Sequence, residues 1–181
     1  RLEKVGKIKN NSTVILDYAH TPDALKTCLK NLKEQFKDKN IKIVFGCGGD
    51  RDRAKRPKMG KIANYYCNKI YLTDDNPRRE NPSKIRSHIK KFINKNKIIE
   101  IASRSKAIKT GVENLKTGEI LVVAGKGHEN VQDCGNTKNF FSDKKNILKN
   151  IKIKNKNLSK NLKLNIIRET SNSNSFLLKN E

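Results

Sequence analysis

Four short polar segments carry residue types that bind charged ligands, and each follows a run of apolar residues. The segments are DYAHTP at 17–22, GCGGDRDRAKRP at 46–57, DDNPRRENP at 74–82 and GKGHE at 125–129. Their acidic side chains, arginines and histidines are interspersed with glycines, which let a ligand approach the backbone closely. In an open α/β sheet, ligands bind in the crevice at the carboxyl ends of the strands. The segments therefore predict a site for an anionic ligand that also forms hydrogen bonds.

The distribution of arginine points to the same segments. The chain has 41 lysines and arginines, of which nine are arginine. Five arginines lie in the second and third segments: Arg51, Arg53, Arg56, Arg78 and Arg79. A planar guanidinium group is required where a carboxylate or phosphate is bound by two parallel hydrogen bonds, and lysine cannot replace it there. We interpret the group as ligand-binding, with ordinary surface arginines as the alternative.

The net charge of +23 is also typical of a second functional class, the nucleic-acid-binding proteins. The excess is almost entirely lysine, scattered among many asparagines and isoleucines, and only 6% of the residues are aromatic. No RNP-like or zinc-finger pattern accompanies it. We therefore favour a solvated, compositionally biased surface. A basic nucleic-acid-binding α/β domain and a non-catalytic ligand-binding module remain as alternatives.

Predicted strands and helices alternate along the chain. Apolar runs predict strands at 14–16, 41–45, 70–72, 98–101 and 120–124, and helices follow, with Thr21, Asn81, Ser103 and Ser142 as N-caps. This alternation predicts an α/β fold with a mostly parallel, mixed sheet and helices on both faces. The segment 2–8 is expected to add an antiparallel edge strand. One domain is predicted over 1–152, ending in a short helix. Residues 153–181 are expected to form a Lys/Asn-rich linker or tail, or the start of a further domain.

Several familiar motifs are absent from the sequence. Gly46, Gly48 and Gly49 do not complete GxGxxG, and Gly125-Lys126 is not followed by the Ser or Thr of a phosphate-binding P-loop. The four cysteines have no metal-ligand spacing, so reduced thiols and no metal site are expected. No apolar run approaches the roughly 20 residues of a membrane span. The chain is expected to lack a triphosphate-binding loop of its own.

Taken in order, DYAHTPDAL, FGCGGDRDRAKRPKMG, TDDNPRRENP and VAGKGHE closely resemble the C-terminal domain of the Mur ligases, a Rossmann-like domain. The resemblance covers about residues 1–152. Within the family, the resemblance is to those members that add meso-diaminopimelate to UDP-MurNAc-L-Ala-D-Glu in peptidoglycan precursor synthesis. Arg1 and Glu3 resemble the end of the junction that precedes this domain, so the chain is expected to be part of a longer protein.

The resemblance implies an ATP-dependent amide ligase in the cytoplasm. In the family, the γ-phosphate of ATP activates the D-Glu carboxylate as an acyl phosphate, which the amine of meso-diaminopimelate attacks. The P-loop, the Mg²⁺ ligands and a carbamylated lysine lie in the family's central domain. The chain is therefore expected to hold no catalytic residue, to be inactive alone, and to work with N-terminal and central domains. Neither nucleic acid nor membrane is an expected partner.

The resemblance also assigns residues to two ligands. The ATP side is implied for Asp17, His20 and Arg1. The meso-diaminopimelate site is implied for Arg51, Asp75, Asn76, Pro77, Arg78, Gly125 and Glu129. These residue types suit the ligand, because a diamino dicarboxylic acid needs donors for two carboxylates and acceptors for two ammonium groups.

Overall fold

The sheet has six strands, and their arrangement confirms the predicted mostly parallel, mixed architecture. A computed structural model describes residues 2–177 of the chain. The strands are β1 (Glu3–Lys7), β2 (Thr13–Asp17), β3 (Ile41–Phe45), β4 (Lys69–Leu72), β5 (Ile98–Glu100) and β6 (Ile120–Ala124). Their order across the sheet is β1-β2-β6-β3-β4-β5. Only β1 runs antiparallel to its neighbour, as the predicted edge strand.

Helices cover both faces of this sheet. They are α1 (Pro22–Gln35), α2 (Lys55–Tyr66), α3 (Pro82–Lys90), α4 (Arg104–Glu113) and α5 (Asp143–Leu177). One apolar cluster packs α1, α2 and α3 against one face, and a second packs α4 and α5 against the other. Strands β2, β3 and β6 are buried at every position, as expected for parallel strands covered on both sides.

The strand order creates a crevice at the carboxyl edge of the sheet. The chain passes from β2 to β3, β4 and β5 in one direction, and β6 then returns to lie between β2 and β3. Helices on either side of such a reversal diverge and leave a cleft between the loops. The register places Asp17 of β2 opposite Ala124 of β6, so the two strands end at the same level. The polar segments that follow β2, β3, β4 and β6 therefore meet at one place.

The four predicted N-caps are confirmed. In each case a side-chain oxygen accepts a hydrogen bond from a backbone N–H group in the first turn: Thr21 from Ala24, Asn81 from Ser83, Ser103 from Lys106 and Ser142 from Lys145. These bonds satisfy donors that a helix start leaves without an internal partner. They fix the points at which the loops of the carboxyl edge enter their helices.

Two features differ from the prediction. A two-stranded antiparallel hairpin, β7 (Val131–Asp133) and β8 (Lys138–Phe140), follows the fourth polar segment and was not predicted. The last helix is not short: α5 continues through residues that were expected to form a linker. The Lys154 side chain donates to carbonyl groups at the end of α4, and Lys9 donates to Ser159. The helix thus packs on the domain beyond residue 152.

The proposed domain boundary at 152 stays a prediction, and residues 178–181 of the expected tail lie outside the described residues. No helix between residues 2 and 177 is long and apolar enough to cross a membrane.

Candidate functional site

A cavity of about 430 Å³ opens where β2, β3, β4 and β6 end. Its walls come from all four polar segments of the sequence. The lining residues are Tyr18, His20, Thr21, Pro22, Gly46, Cys47, Gly48, Arg51, Asp52, Lys55, Asp75, Asn76, Arg78, Gly125 and Glu129. The cavity therefore brings together Arg51, Asp75, Asn76, Arg78, Gly125 and Glu129 from the predicted amino-acid site, with His20 from the predicted nucleotide side.

One side of the cavity is a cationic wall formed by Arg51 and Arg78. A β-carbon placed on Gly48 would lie 2.8 Å from Arg78 Nη1 and 3.9 Å from Arg51 Cγ, so both side chains flank this glycine. Arg51 is exposed, whereas the Arg78 side chain is one-quarter exposed. Two guanidinium groups at one wall suit a ligand with carboxylate groups.

A second part of the cavity lining is an anionic wall formed by Asp75, Asn76 and Glu129. Asp75 Oδ2 lies 2.8 Å from the position of a β-carbon on Gly125, which has φ of +115°. A side chain at this glycine would collide with the carboxylate and strain the backbone. The Nδ2 group of Asn76 donates to Glu129 Oε2 at 3.3 Å. The carboxylate oxygens at this wall can accept hydrogen bonds from ammonium groups.

Arg78 is held by contacts from two neighbouring segments of the chain. Its backbone φ is +51°, which is uncommon for a residue with a β-carbon. The conformation is fixed because the Arg78 N–H group donates to the Asp133 carbonyl oxygen at 3.0 Å, and its Nη1 donates to the Gly49 carbonyl oxygen at 2.8 Å. The carboxylate of Asp133 lies 3.7 Å from Arg78 Nε. The unpredicted hairpin therefore helps to orient this arginine.

Two residues assigned by resemblance do not line the cavity. Both carboxylate oxygens of Asp17 accept backbone hydrogen bonds, from Leu2 at 2.6 Å and Ala19 at 2.8 Å. Pro77 is buried, with its carbonyl oxygen against Gly49. Arg1 lies outside the described residues. The nucleotide role of Asp17 and Arg1 and the ligand contact of Pro77 stay predictions.

The rim next to α1 is the predicted nucleotide side. The His20 ring is exposed, its Nδ1 lies 2.9 Å from the Tyr18 carbonyl oxygen, and it packs edge-on against the Tyr18 ring. The Lys55 side chain donates to the His20 carbonyl oxygen at 3.0 Å. An exposed imidazole beside an ammonium group fits phosphate oxygens. In the described part of the chain, no three His, Cys, Asp or Glu side chains converge in the way that a metal site requires.

The interpretation of all five arginines as ligand-binding is wrong for Arg56. Its guanidinium group is fully buried and binds Glu80 through Nη1 at 3.1 Å and Nη2 at 2.8 Å. Arg53 lies 3.4 Å from the same carboxylate. The hydrogen bonds from Arg56 lower the pKa of Glu80 to about 2. The bidentate pair expected for a ligand is thus made within the protein, and it ties α2 to the 74–82 segment.

This pair predicts a pH-dependent contribution to stability. Because the pKa of Glu80 is depressed in the folded state, its stabilisation is present above the unfolded value of about 4.3 and is lost as pH falls toward about 2. Glu80→Gln should therefore destabilise the chain at pH 7, with a difference from wild type that shrinks between pH 5 and about 2. Urea unfolding at several pH values measures this difference in stability.

Glu34→Gln, in an exposed pair with Lys30, is the control and should show a small difference in stability at every pH. A Glu80→Gln difference that is constant with pH would contradict the assignment.

Sequence reasoning missed two buried cations near the carboxyl end of β6. Lys126 is fully buried and contacts Asn76 and Glu129. Arg104 is almost completely buried, binds Asp143 bidentately and donates to the Ala124 carbonyl oxygen. Because lysine is common throughout this chain, its residue type alone did not distinguish Lys126 from surface lysines. Its position two residues after the end of a buried strand was a usable signal.

Cys47 also lines the cavity but is not a suitable nucleophile. It is buried, and burial raises the pKa of its thiol to about 12. The reactive form of cysteine is the thiolate, which is scarce at neutral pH for such a group.

Comparisons with known proteins agree with this geometry. Residues 1–127 match the family model described as Mur ligase, glutamate ligase domain. A UDP-N-acetylmuramoyl-L-alanyl-D-glutamate--2,6-diaminopimelate ligase from Rickettsia rickettsii is 48% identical over 154 residues, which cover 84% of this chain and 31% of the relative. The ligase of the same name from Buchnera aphidicola subsp. Baizongia pistaciae is 49% identical over 158 residues, covering 86% and 30%.

A solved structure of a ligase with this name is 40% identical and superposes with a TM-score of 0.78. The aligned region covers 84% of this chain and 31% of the solved chain. The chain thus spans about a third of the length of the relatives it matches.

Proposed function

Because the chain belongs to the Mur ligase family, we propose that it is the C-terminal, amino-acid-binding part of an ATP-dependent ligase. The ligase joins meso-diaminopimelate to UDP-MurNAc-L-Ala-D-Glu in peptidoglycan precursor synthesis. The names of the relatives support this choice of substrate. The ATP requirement places the reaction in the cytoplasm, and N-terminal and central domains complete the enzyme. The nucleic-acid alternative gains no support from these relatives.

The observation that carries the proposal is the presence of both a cationic and an anionic wall in the lining of one cavity. Arg51 and Arg78 present guanidinium groups, while Asp75 and Glu129 present carboxylate oxygens. A ligand with carboxylate and ammonium groups at both ends can satisfy both walls at once. A nucleic acid offers only anionic groups and would leave the anionic wall without partners. The cavity therefore favours a zwitterionic amino acid.

The chain's own residues bind and orient the amino acid for attack. ATP supplies the phosphoryl group that converts the acceptor carboxylate into an acyl phosphate, from which an attacking amine displaces phosphate. Acceptors on the anionic wall fix the position of an ammonium group, and the cationic wall fixes the distant carboxylate. Holding the amine in one place raises the rate of a two-substrate reaction, because less orientational freedom remains to be lost at the transition state.

Ligation assays test the proposal. In the full-length ligase that contains this chain, labelled meso-diaminopimelate should enter UDP-MurNAc-L-Ala-D-Glu only when ATP is present. The isolated chain of 181 residues should form no amide above the blank, because it contains no P-loop sequence. Failure of the full-length enzyme to use meso-diaminopimelate would contradict the proposed substrate. Ligation by the isolated chain would contradict the proposal that other domains are needed for the reaction.

A further inference from the structure

We propose that Lys126 is a positioning residue for the substrate's amino group. Its ammonium group lies behind the anionic wall and holds Asn76 and Glu129 so that the free oxygens of that wall face the cavity. The inference rests on the proposed function, because it assigns a role in binding a diamino acid. Lys126 does not touch the substrate in this proposal.

The contacts of Lys126 point toward the wall and away from the ligand space. The side chain is fully buried, and Nζ lies 2.7 Å from Asn76 Oδ1, 3.2 Å from Glu129 Oε2 and 3.9 Å from Asp75 Oδ1. An ammonium group has three N–H donors, and these three oxygens surround it. Since Lys126 does not line the cavity, it is not placed to bind an anionic ligand directly.

These contacts determine which way the Asn76 amide faces. Asn76 Oδ1 accepts from Lys126 Nζ and also from the backbone N–H of Asp133 at 3.0 Å. The opposite end of the amide, Nδ2, therefore points at Glu129 Oε2. That oxygen is bound by both Lys126 and Asn76, whereas among residues 2–177 Oε1 has only the Tyr18 hydroxyl at 3.4 Å. One oxygen of Glu129 is thus held by the protein, and the other remains for a ligand.

The charge of Lys126 also makes the wall possible. Asp75 is buried and Glu129 is partly buried, and two neighbouring carboxylates in such a place repel each other. One ammonium group between them leaves a net charge of about −1, which complements one ammonium group of a substrate. Without Lys126, the wall would carry one more negative charge and Asn76 would lose the donor that fixes its orientation.

Steady-state kinetics of the full-length ligase test this role. Lys126→Met should raise the KM for meso-diaminopimelate about 10- to 100-fold, the effect expected when charge-assisted hydrogen bonds are lost, and change the KM for ATP by less than about twofold. Lys42→Met is a matched control. Lys42 is also buried, with Nζ 2.5 Å from Glu119 Oε2 and 2.7 Å from the Asn114 carbonyl oxygen, but it lies near the amino end of β3. This control should lose stability and leave the KM for meso-diaminopimelate unchanged.

A double-mutant cycle keeps the inference testable if Lys126→Met fails to fold. Lys126→Gln keeps an N–H donor group without the charge, and its effect on the KM should be strongly non-additive with Glu129→Gln, because both changes act on one contact. Additive effects, or equal increases in the KM values for ATP and meso-diaminopimelate, would overturn the positioning role. So would an unchanged KM in a folded Lys126→Met. If the wild-type ligase does not use meso-diaminopimelate, the proposed function fails and the inference with it.

Discussion

Replacing Arg78 with alanine should raise the KM of the full-length ligase for meso-diaminopimelate and narrow its advantage over lysine. The two amino acids differ by one distal carboxylate, and Arg78 is the guanidinium group that the Gly49 carbonyl oxygen fixes at the cationic wall. A bidentate, charge-assisted pair with that carboxylate is the expected contact. Lysine cannot form it, so the selectivity should depend on this side chain.

The structure bounds the size of the effect. Arg78 already donates to the Gly49 carbonyl oxygen and lies near Asp133, so it is not left without partners when lysine binds. The loss is that of the substrate pair alone, about 2 to 3 kcal/mol, or roughly 30- to 150-fold in the preference for meso-diaminopimelate. Arg78→Lys should recover only part of it, because an ammonium group cannot make the planar bidentate contact.

Comparing kcat/KM for both amino acids measures this prediction. Arg79→Ala is the matched control, since Arg79 is the neighbouring arginine, is exposed and does not line the cavity. It should leave the ratio of the two kcat/KM values unchanged. If Arg78→Ala also left that ratio unchanged, Arg78 would not determine the selectivity and the choice of meso-diaminopimelate would lose its physical basis.

The fold was largely predictable because buried strands and capped helices leave local signals. Residues 120–124 are a continuous apolar run, and they form β6 as expected. Ser103 precedes an apolar stripe at helical spacing, and it caps α4 as expected. The hairpin β7–β8 gave no such signal, because its three-residue strands are mostly exposed and polar. The full length of α5 was missed since its Lys/Asn-rich sequence has a weak apolar pattern, and the packing of Leu158 depends on distant residues.

The site was predictable in its location but not in every role. Strand ends placed Asp75, Asn76 and Glu129 at the carboxyl edge, and the structure brings them together. A residue type does not reveal its partner, however. Arg56 has the chemistry to bind a ligand carboxylate, yet Glu80 supplies that carboxylate from within the chain. Asp17 likewise uses its oxygens to cap backbone N–H groups, a contact that no spacing rule predicts.

Breaking the Arg104–Asp143 pair should produce the largest loss of stability in this chain. Both side chains are fully buried, with Nε to Oδ1 at 2.8 Å and Nη2 to Oδ2 at 2.7 Å. Burial alone lowers the pKa of Arg104, but the charge and hydrogen bonds of Asp143 outweigh burial and raise it above its ordinary value. Arginine does not lose its proton in proteins, so its charge remains when the partner carboxylate is removed. Asp143→Asn should therefore leave an uncompensated buried charge and cost about 3 to 5 kcal/mol in the free energy of unfolding.

Urea unfolding of the chain at pH 7 measures this cost, and the double variant Arg104→Met/Asp143→Leu separates its causes. Removing both charges should restore much of the lost stability, because no unpaired charge then remains in the core. Recovery should be incomplete, since the Ala124 carbonyl oxygen also loses the donor that Arg104 Nη2 provides at 2.9 Å.

Glu113→Gln, in an exposed pair with Lys109, serves as the control and should cost less than about 1 kcal/mol in the free energy of unfolding. An Asp143→Asn variant as stable as this control would show that the pair does not hold α5 against the end of β6. A double variant no more stable than Asp143→Asn would show instead that packing, and not the buried charge, accounts for the loss.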